Sequence, residues 1–385
     1  MAIKKISILL TAVSVLMVFA CGPKPLTPRA KLDTPTHHAD NGNKLLRSGK
    51  LDAAFSEFTR ARELDSTYAP AYVGLGLVDA FRGNFESGQE NLKTAKKFVS
   101  GKEQRTAIHI GHMRLYTRGG EKLDTNWLKR VRSEFEGAVD LHPDRAEPYY
   151  YMGMAYKQGY EFDKAAVQFS RVLDIGQDFT AEADREYALV QKIVRAMPGS
   201  KAGKRIALVE KLTRGDKAAL FIEELKVDAL CRKKTVKPLD ASYKSPEKEF
   251  ITGQYVSAPA VTDIEDHVLK NDIEAAMGVG VKGLEAFPDH TFKPYAAITR
   301  AEFAMMIEDI LIKITQVKDL STRFIGSTSP FPDLRSDLPY FNSVMICTTR
   351  GIMTAQNLSS GEFEPMGPVS GADALLSIRA LKDQL

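Results

Sequence analysis

The chain of 385 residues has little of what marks several protein classes. It has three cysteines, and no spacing of Cys and His resembles a zinc site. Its 53 basic and 49 acidic residues nearly cancel to a formal charge of +4. This balance argues against a dedicated nucleic-acid-binding protein, which would carry a strong basic footprint. Gly and Pro are too few for a low-complexity chain, and the length predicts two or three domains.

Only one long apolar run is present, over residues 6–20 at the N terminus. It is shorter than the about 20 residues that a membrane-spanning helix needs, and with two preceding lysines it has the form of a secretory signal. The run ends in Ala20-Cys21-Gly22, which resembles a bacterial lipobox. The resemblance implies a signal peptide over 1–20, cut before Cys21, and acylation of the Cys21 thiol. An ordinary signal peptide followed by an incidental cysteine is the alternative.

A lipid on Cys21 would determine where the protein lies. Each buried CH₂ contributes about 0.8 kcal/mol, so two or three acyl chains anchor a protein firmly. Residues 21–35 contain four prolines and predict a stiff spacer. Gly22 after the cysteine, rather than Asp, favours the outer membrane facing the periplasm over the inner membrane or the cell surface. Loss of residues 1–20 removes two lysines and no acid, which lowers the charge from +4 to +2.

The first half of the chain repeats with a period of 34 residues. Small residues recur at this spacing, as at Gly42 and Gly76. Large residues do so at Phe58 and Leu92. Small residues suit positions where two helices approach closely, and large residues fill the gaps. The pattern resembles the tetratricopeptide (TPR) helix-turn-helix repeat over 36–180. Good copies cover 35–68, 69–102 and 146–179, and a degenerate copy with an insertion near 117–125 covers 103–145.

Stacked TPR repeats form a superhelix whose concave face is built mostly from the first helix of each repeat. The resemblance implies a protein or peptide partner in this groove and no chemistry there. The pattern places these residues on the concave face: Asn43, Arg47, Val73, Leu77, Phe81, Tyr150, Met154 and Lys157. A solvated or domain-packing surface is the alternative.

The second half carries a different repeat. Residues 297–307 contain Ile298-Thr299-Arg300-Ala301-Glu302-Phe303, which resembles the hallmark segment of S-layer homology (SLH) domains. The order upstream also follows the family: an Asp-containing opening segment, a helix, a Gly-rich turn and Phe292-Lys293-Pro294. The resemblance implies a helical pseudo-threefold unit over 181–385. Its three copies are 181–235, which is degenerate, 256–315 and 329–385.

The Thr-Arg segment of each copy has two interpretations. Thr299 and Glu302 have the spacing of a helix capping box, in which each side chain satisfies a free backbone N–H. Capping gives no reason for Arg214 and Arg300, because a cation in the first turn opposes the helix dipole. In the SLH family this arginine belongs to a glycan-binding groove, where it serves as an anion clamp. The resemblance therefore implies glycan contacts at Arg214, Arg300, Thr299, Glu302 and Thr213.

The sequence has three further features of note. The third SLH copy has Gly371 at the arginine position, which predicts a weakened groove. Cys231 and Cys347 either pair, in a compartment where disulfides persist, or serve as two small buried hydrophobes. His37-His38 has no third ligand nearby and predicts no metal site.

Taken together, the modules predict an all-α, lipid-anchored envelope protein with no enzymatic activity, metal or cofactor. In the leading hypothesis the SLH copies bind cell-wall polysaccharide or peptidoglycan, and the TPR groove recruits a protein. In the alternative the protein is an assembly or secretion accessory factor whose SLH copies are only structural. A hydrolase is a third hypothesis, without a supporting motif. The sequence identifies neither the polymer, nor the client protein, nor the oligomeric state.

Overall fold

The computed structural model of the chain describes residues 27–28, 30–235 and 261–385, without the side chains of 232–235. The predicted signal peptide, Cys21 and most of the spacer lie outside these residues. The described residues form 16 α-helices and no β-sheet, which confirms the predicted all-α fold. None of these helices combines the length and apolar character of a membrane span. The chain divides into two compact units, the first ending at Tyr187 and the second beginning at Ala188.

The first unit consists of four helical hairpins, and the helices of each hairpin pack against each other. Three-residue turns close three of the hairpins, so their helices run antiparallel. The helices are α1 Pro35–Arg47, α2 Leu51–Leu64, α3 Ala69–Phe81, α4 Phe85–Phe98, α5 Gly101–Gly119, α6 Trp127–Leu141, α7 Ala146–Gln158 and α8 Phe162–Ile175. The next helix, α9 Thr180–Ala196, contains the division between the units.

Glycines allow the helices of the first unit to approach closely. The ring of Phe58 packs where Gly42 and Gly74 have no side chain, since a Cβ there would lie 2.7 and 2.2 Å from the ring. A Cβ on Gly76 would lie 2.8 Å from the carbonyl oxygen of Gly88. Real Cβ atoms do not approach other atoms so closely in packed interiors. The packing reason given for the alternation of small and large residues is therefore confirmed at these positions.

The degenerate copy has a longer first helix and a longer connection to its second helix than the neighbouring copies. Helix α5 has 19 residues, whereas α3 has 13. The C-cap residue after α5 is Gly120, whose φ of 53° is unfavourable for residues with a side chain. A 3₁₀ turn over Gly120–Lys122 then leads towards α6. The extra turns carry the end of α5 beyond the length of the neighbouring first helices.

The second unit is built from short helices and long connections. After the second part of α9, its helices are α10 Lys201–Ile206, α11 Arg214–Ala219, α12 Val227–Thr235, α13 Lys270–Val279, α14 Arg300–Thr315, α15 Phe341–Thr349 and α16 Gly371–Lys382. A π-helical turn covers Leu220–Leu225, and a 3₁₀ turn covers Lys318–Thr322.

The segments that precede α11, α14 and α16 hydrogen-bond to one another in a ring. The N–H of Leu212 donates to the carbonyl oxygen of Val369 at 2.9 Å, and the N–H of Ile298 donates to that of Leu212 at 3.1 Å. An antiparallel bridge between Thr299 and Pro368 joins the remaining pair. Each of the three segments thus contacts the other two, and the three helices start from a common centre.

Aspartates fix the Phe-x-Pro turns of the second unit. The carboxylate of Asp263 accepts the N–H groups of Phe292 and Lys293, both at 2.7 Å. Asp333 binds the equivalent turn of the last copy, at 2.9 and 2.7 Å. These bonds hold Lys293 at a φ of 56°, a left-handed conformation that is uncommon for a residue with a side chain.

A lysine occupies the core near the centre of this ring. Lys217 of α11 is fully buried, and its Nζ lies 3.1 Å from the ring centroid of Phe303 of α14. Within the described part of the chain, no hydrogen-bond acceptor reaches this Nζ. Burial lowers the pKa of Lys217 well below its usual range, because the charged ammonium would lose its hydration.

Replacement of Lys217 by methionine should stabilise the second unit by about 1–3 kcal/mol, because it removes a buried polar group for which the described residues provide no hydrogen-bond acceptor. The folded state binds fewer protons at Lys217 than the unfolded state, so the wild type should gain stability as the pH rises towards the unfolded pKa of about 10.4. The advantage of the variant should therefore shrink with rising pH. Urea unfolding of the full chain measures both effects. Lys382→Met, at an exposed position of α16, is the matched control, and a Lys217→Met chain less stable than wild type would contradict the argument.

Candidate functional site

The structure does not present Arg300 to solvent. This residue is only 4% exposed. Its Nε donates to the carbonyl oxygen of Phe363 at 2.7 Å, and a terminal nitrogen donates to that of Thr354 at 2.6 Å. The guanidinium also lies 4.4 Å from the ring centroid of Phe363. The prediction of an outward-facing anion clamp is wrong for Arg300, because its donors are used by the backbone of the following copy.

Arg214 follows the same plan one copy earlier. Its Nε donates to the carbonyl oxygen of Phe292 at 2.8 Å. Its two terminal nitrogens donate to the carbonyls of Gly283 at 2.5 Å and Glu285 at 2.9 Å. The side chain is half-buried, and three of its donors serve the turn of the next copy. Arg214 therefore connects two copies and does not extend into solvent as a ligand-binding side chain.

The third copy has no room for an arginine. A Cβ on Gly371 would lie 1.7 Å from the carbonyl oxygen of Ile206, and the N–H of Gly371 donates to Val209 at 2.8 Å. The backbone of the first copy thus fills the place that the arginine side chain takes elsewhere. This gives a physical reason for the glycine at this position.

The remaining predicted glycan contacts are helix caps. The hydroxyl of Thr299 accepts the N–H of Glu302 at 3.2 Å, and the carboxylate of Glu302 accepts the N–H of Thr299 at 2.8 Å. Thr213 and Asp216 form the same capping box at α11. The capping interpretation of these residues is confirmed, and it accounts for their spacing without a ligand.

Replacement of Arg300 by leucine should destabilise the chain by about 2–4 kcal/mol, because two buried carbonyls lose their charged donor. Urea unfolding monitored by far-UV circular dichroism measures the change. Arg379→Leu is the matched control, since Arg379 lies exposed on α16, where it pairs with Asp383 at 3.4 Å. Equal stability of the two variants would show that Arg300 does not have the structural role described.

A cleft of about 280 Å³ opens in the first unit. Its walls come from the first helices α1, α5 and α7 and from the segment before α9. The lining residues are Asp40, Asn43, Lys44, Arg47, Arg114, Arg145, Glu147, Tyr151, Asp178 and Phe179. The described residues thus have a concave site where first helices converge.

The cleft contains two of the predicted partner-binding residues, Asn43 and Arg47. Val73 and Leu77 are only 8% and 2% exposed and belong to the hydrophobic core, so their predicted place on an open face is wrong. The reason is the close packing of α3 on α5: a Cβ on Gly111 would lie 3.1 Å from a methyl carbon of Val73.

The other four predicted residues do not line the cleft. Phe81, Tyr150 and Met154 are half-buried. The ring of Tyr150 stacks on Phe179 with centroids 4.8 Å apart, and burial raises the pKa of Tyr150 to about 12, so its hydroxyl stays neutral. The Nζ of Lys157 pairs with Glu186 at 2.5 Å.

Arginines cover the aromatic rings around the cleft. The guanidinium carbon of Arg114 lies 4.7 Å from the ring centroid of Tyr151 and 5.7 Å from that of Phe81. Arg118 lies 5.6 Å from the Phe81 centroid. Such contacts are attractive because the face of an aromatic ring is electron-rich. They restrain the two guanidinium groups, and within the described part of the chain neither side chain donates a hydrogen bond.

The arginines of the cleft differ in their partners. Arg145 is neutralised by Glu103 at 2.9 Å and Glu147 at 2.7 Å. For Arg47, Arg114 and Arg118, no carboxylate among residues 30–235 and 261–385 lies within 4.0 Å of the charged nitrogens. The cleft therefore holds cationic groups whose charge is not balanced at contact distance.

Sequence reasoning missed Arg114, Arg118, Tyr151 and Phe179. Both arginines lie in the degenerate copy, where the period of 34 residues is lost and no family position could be assigned. Their spacing of four residues was an available signal, because it places two cations on one face of a helix.

An ion cluster at the start of α1 holds this wall of the cleft in place. The ring nitrogens of His38 lie 2.6 Å from Glu57 Oε2 and 2.8 Å from Asp33 Oδ1. Arg60 also pairs with Asp33, at 2.6 Å. Burial of the His38 ring lowers its pKa, but the hydrogen bonds to Glu57 and Asp33 prevail and raise the pKa above its usual value.

Because the folded pKa of His38 is raised, its stabilising effect should be present below about pH 6.5 and lost as the pH rises through the folded value. The difference in unfolding free energy between wild type and His38→Ala should therefore decrease as the pH rises above about 6.5. Chemical denaturation across this range measures it. His37→Ala, at the neighbouring position, is the control, and a pH-independent difference for His38→Ala would contradict the charged cluster.

The described residues hold no group of three or more His, Cys, Asp or Glu side chains that could bind a metal ion. Cys231 and Cys347 are both free thiols. Cys347 is fully buried, and burial raises the pKa of its thiol. The structure therefore has no disulfide between them, and the alternative of a buried hydrophobic residue holds for Cys347 but not for the half-buried Cys231.

Fold and site together define an all-α protein of helical hairpins and capped short helices, with one cationic concave cleft among the described residues. A scan against protein-family models finds no match. A search of curated proteins finds no similar sequence. The resemblance to TPR and SLH domains therefore depends on the motifs quoted above.

Proposed function

We propose that this chain is a non-catalytic scaffold that binds a segment of another protein in the cleft of its first unit. The observation that carries the proposal is the contrast between two sets of arginines. Arg214 and Arg300 of the second unit donate to backbone carbonyls. Arg47 and Arg114 of the first unit line the cleft, and Arg118 borders it beside Phe81. Among the described residues, none of the three has a carboxylate partner at contact distance.

In this proposal the three copies of the second unit are structural. The wall-anchoring hypothesis requires outward-facing arginines, and an Arg300 that is 4% exposed speaks against it. The threonine and glutamate of the same segment are engaged in caps. The hypothesis of an assembly or secretion accessory factor fits these contacts better than glycan anchoring.

The proposed location comes from the N-terminal sequence. A lipid on Cys21 would hold the scaffold at a membrane surface, with the outer membrane facing the periplasm favoured by Gly22. The partner would then be a protein exposed to the same compartment. The TPR-like period of the first unit supports protein binding, since repeats of this kind present a concave surface to a partner.

Site-specific photocrosslinking tests the proposal in cells of the native host. A benzoylphenylalanine at Asn43 or at Arg118 should give a discrete crosslinked protein, because both positions border the cleft. The same probe at Val167, which is 64% exposed on α8 and does not line the cleft, should not. Identical crosslinks at all three positions would contradict a specific site.

Sedimentation with purified cell-wall sacculi tests the competing hypothesis. The full chain should remain in the supernatant, because Arg214 and Arg300 donate to backbone carbonyls of the second unit itself. Retention on sacculi that soluble wall glycan competes away would instead support anchoring and would overturn the structural role proposed for the three copies.

A further inference from the structure

The cleft of the first unit combines charge and aromatic surface in an unusual way. Arg114 and Arg118 both lie against the ring of Phe81, and Arg114 also covers Tyr151. At the other side, Arg47 lies 6.0 Å from the ring centroid of Phe179. The side chains of Arg47, Arg114 and Lys44 thus line one concave surface. Arg118 does not line it but borders it, because it contacts the same Phe81 ring as Arg114.

The balance of charge in the cleft favours an anionic ligand. Among the acids that line it, Glu147 is already paired with Arg145 at 2.7 Å. Among the other lining residues, the acids Asp40 and Asp178 stand against the cations Lys44, Arg47 and Arg114. Arg118 adds a further positive charge at the border of the cleft. The excess is cationic and partly enclosed, and enclosure reduces the screening of such charges by solvent.

The geometry of the arginines fits carboxylates. A guanidinium stacked on an aromatic ring has its plane fixed, so little conformational freedom is lost when its N–H edge binds an anion. A carboxylate accepts two parallel N–H bonds from such an edge. Arg114 and Arg118 are one helical turn apart on α5, which places their edges within reach of neighbouring acidic residues on one segment.

The aromatic rings favour a peptide over a glycan. A sugar ring packs best on an uncovered aromatic face. Here two arginines cover the ring of Phe81, and Arg114 also covers that of Tyr151. The ring of Phe179 is covered by Tyr150, whose centroid lies 4.8 Å away, and by Arg47. The rings therefore act as supports for the guanidinium groups and offer no free stacking platform.

We infer that the ligand of this cleft is an acidic peptide segment, whose Asp or Glu carboxylates bind the guanidinium groups of Arg47, Arg114 and Arg118. This inference depends on the proposed function, because it names the chemistry of the segment that the scaffold binds.

Fluorescence anisotropy with the full chain tests the inference. The probe is a fluorescein-labelled peptide of about ten residues in which Glu and Leu alternate, and its matched partner has Gln in place of every Glu. The Glu peptide should bind about tenfold more tightly than the Gln peptide at low salt. Raising the salt concentration to about 1 M should remove most of this difference, because it shortens the Debye length.

The double variant Arg114→Gln/Arg118→Gln should reduce binding of the Glu peptide to the level of the Gln peptide. The matched control is Lys102→Gln/Arg105→Gln, which removes the same charge from exposed positions of the same helix outside the cleft. Thermal unfolding of both variants checks that they are folded. Equal losses in the two variants would show that net charge, and not the cleft, attracts the peptide, and would overturn the inference.

Failure of the inference and failure of the proposed function are distinguishable. Suppose that cleft positions still crosslink a protein, but the Glu and Gln peptides bind equally or neither binds. This result would overturn the inference of an acidic ligand and leave the proposed scaffold function intact. Absence of both peptide binding and cleft-specific crosslinks would overturn both. Competition with an anionic polysaccharide such as polygalacturonate tests the other ligand class. If the polysaccharide displaces the Glu peptide from the wild type and does not bind the double variant, the ligand of the cleft is a glycan and the inference of a peptide is overturned.

Discussion

A buried guanidinium needs acceptors for its N–H donors, and this requirement organises the second unit. Arg300 and Arg214 each enter the turn of the following copy and donate to its carbonyls. Aspartates hold the same turns from the other side, as Asp263 does for Phe292. Each turn is thus fixed through both its donors and its acceptors. The close contact of Gly371 with Ile206 completes the ring, because at that position the backbone itself fills the space.

In the first unit the same residue type has different surroundings and therefore a different use. Arg114 and Arg118 lie on aromatic rings, which fix their orientation without neutralising their charge. Arg145, between Glu103 and Glu147, shows how an arginine near the same cleft is neutralised. Arg114 and Arg118 of the first unit therefore keep a charge that a ligand could bind, whereas Arg214 and Arg300 of the second unit stabilise the fold.

Part of the fold was accessible to sequence reasoning because it depends on local rules. The N-caps at Thr213 and Thr299 follow from hydrogen bonds between residues three apart, and the structure has both. The close approach of helices at Gly76 follows from the absence of a side chain. The candidate site was harder to predict from the sequence. Val73 and Leu77 fit the family pattern of a concave face but pack into the core, because α5 lies on them.

The sequence by itself determined the all-α class, the repeated helix starts and the unusual presence of an arginine in the first turn. Those features depend on neighbours within a few residues along the chain. Only the tertiary structure decided what the arginines do, because their partners are 54 and 63 residues away for Arg300 and 69 to 78 residues away for Arg214. A charged side chain is directed by the acceptors and rings that surround it in space, and no local pattern specifies those surroundings.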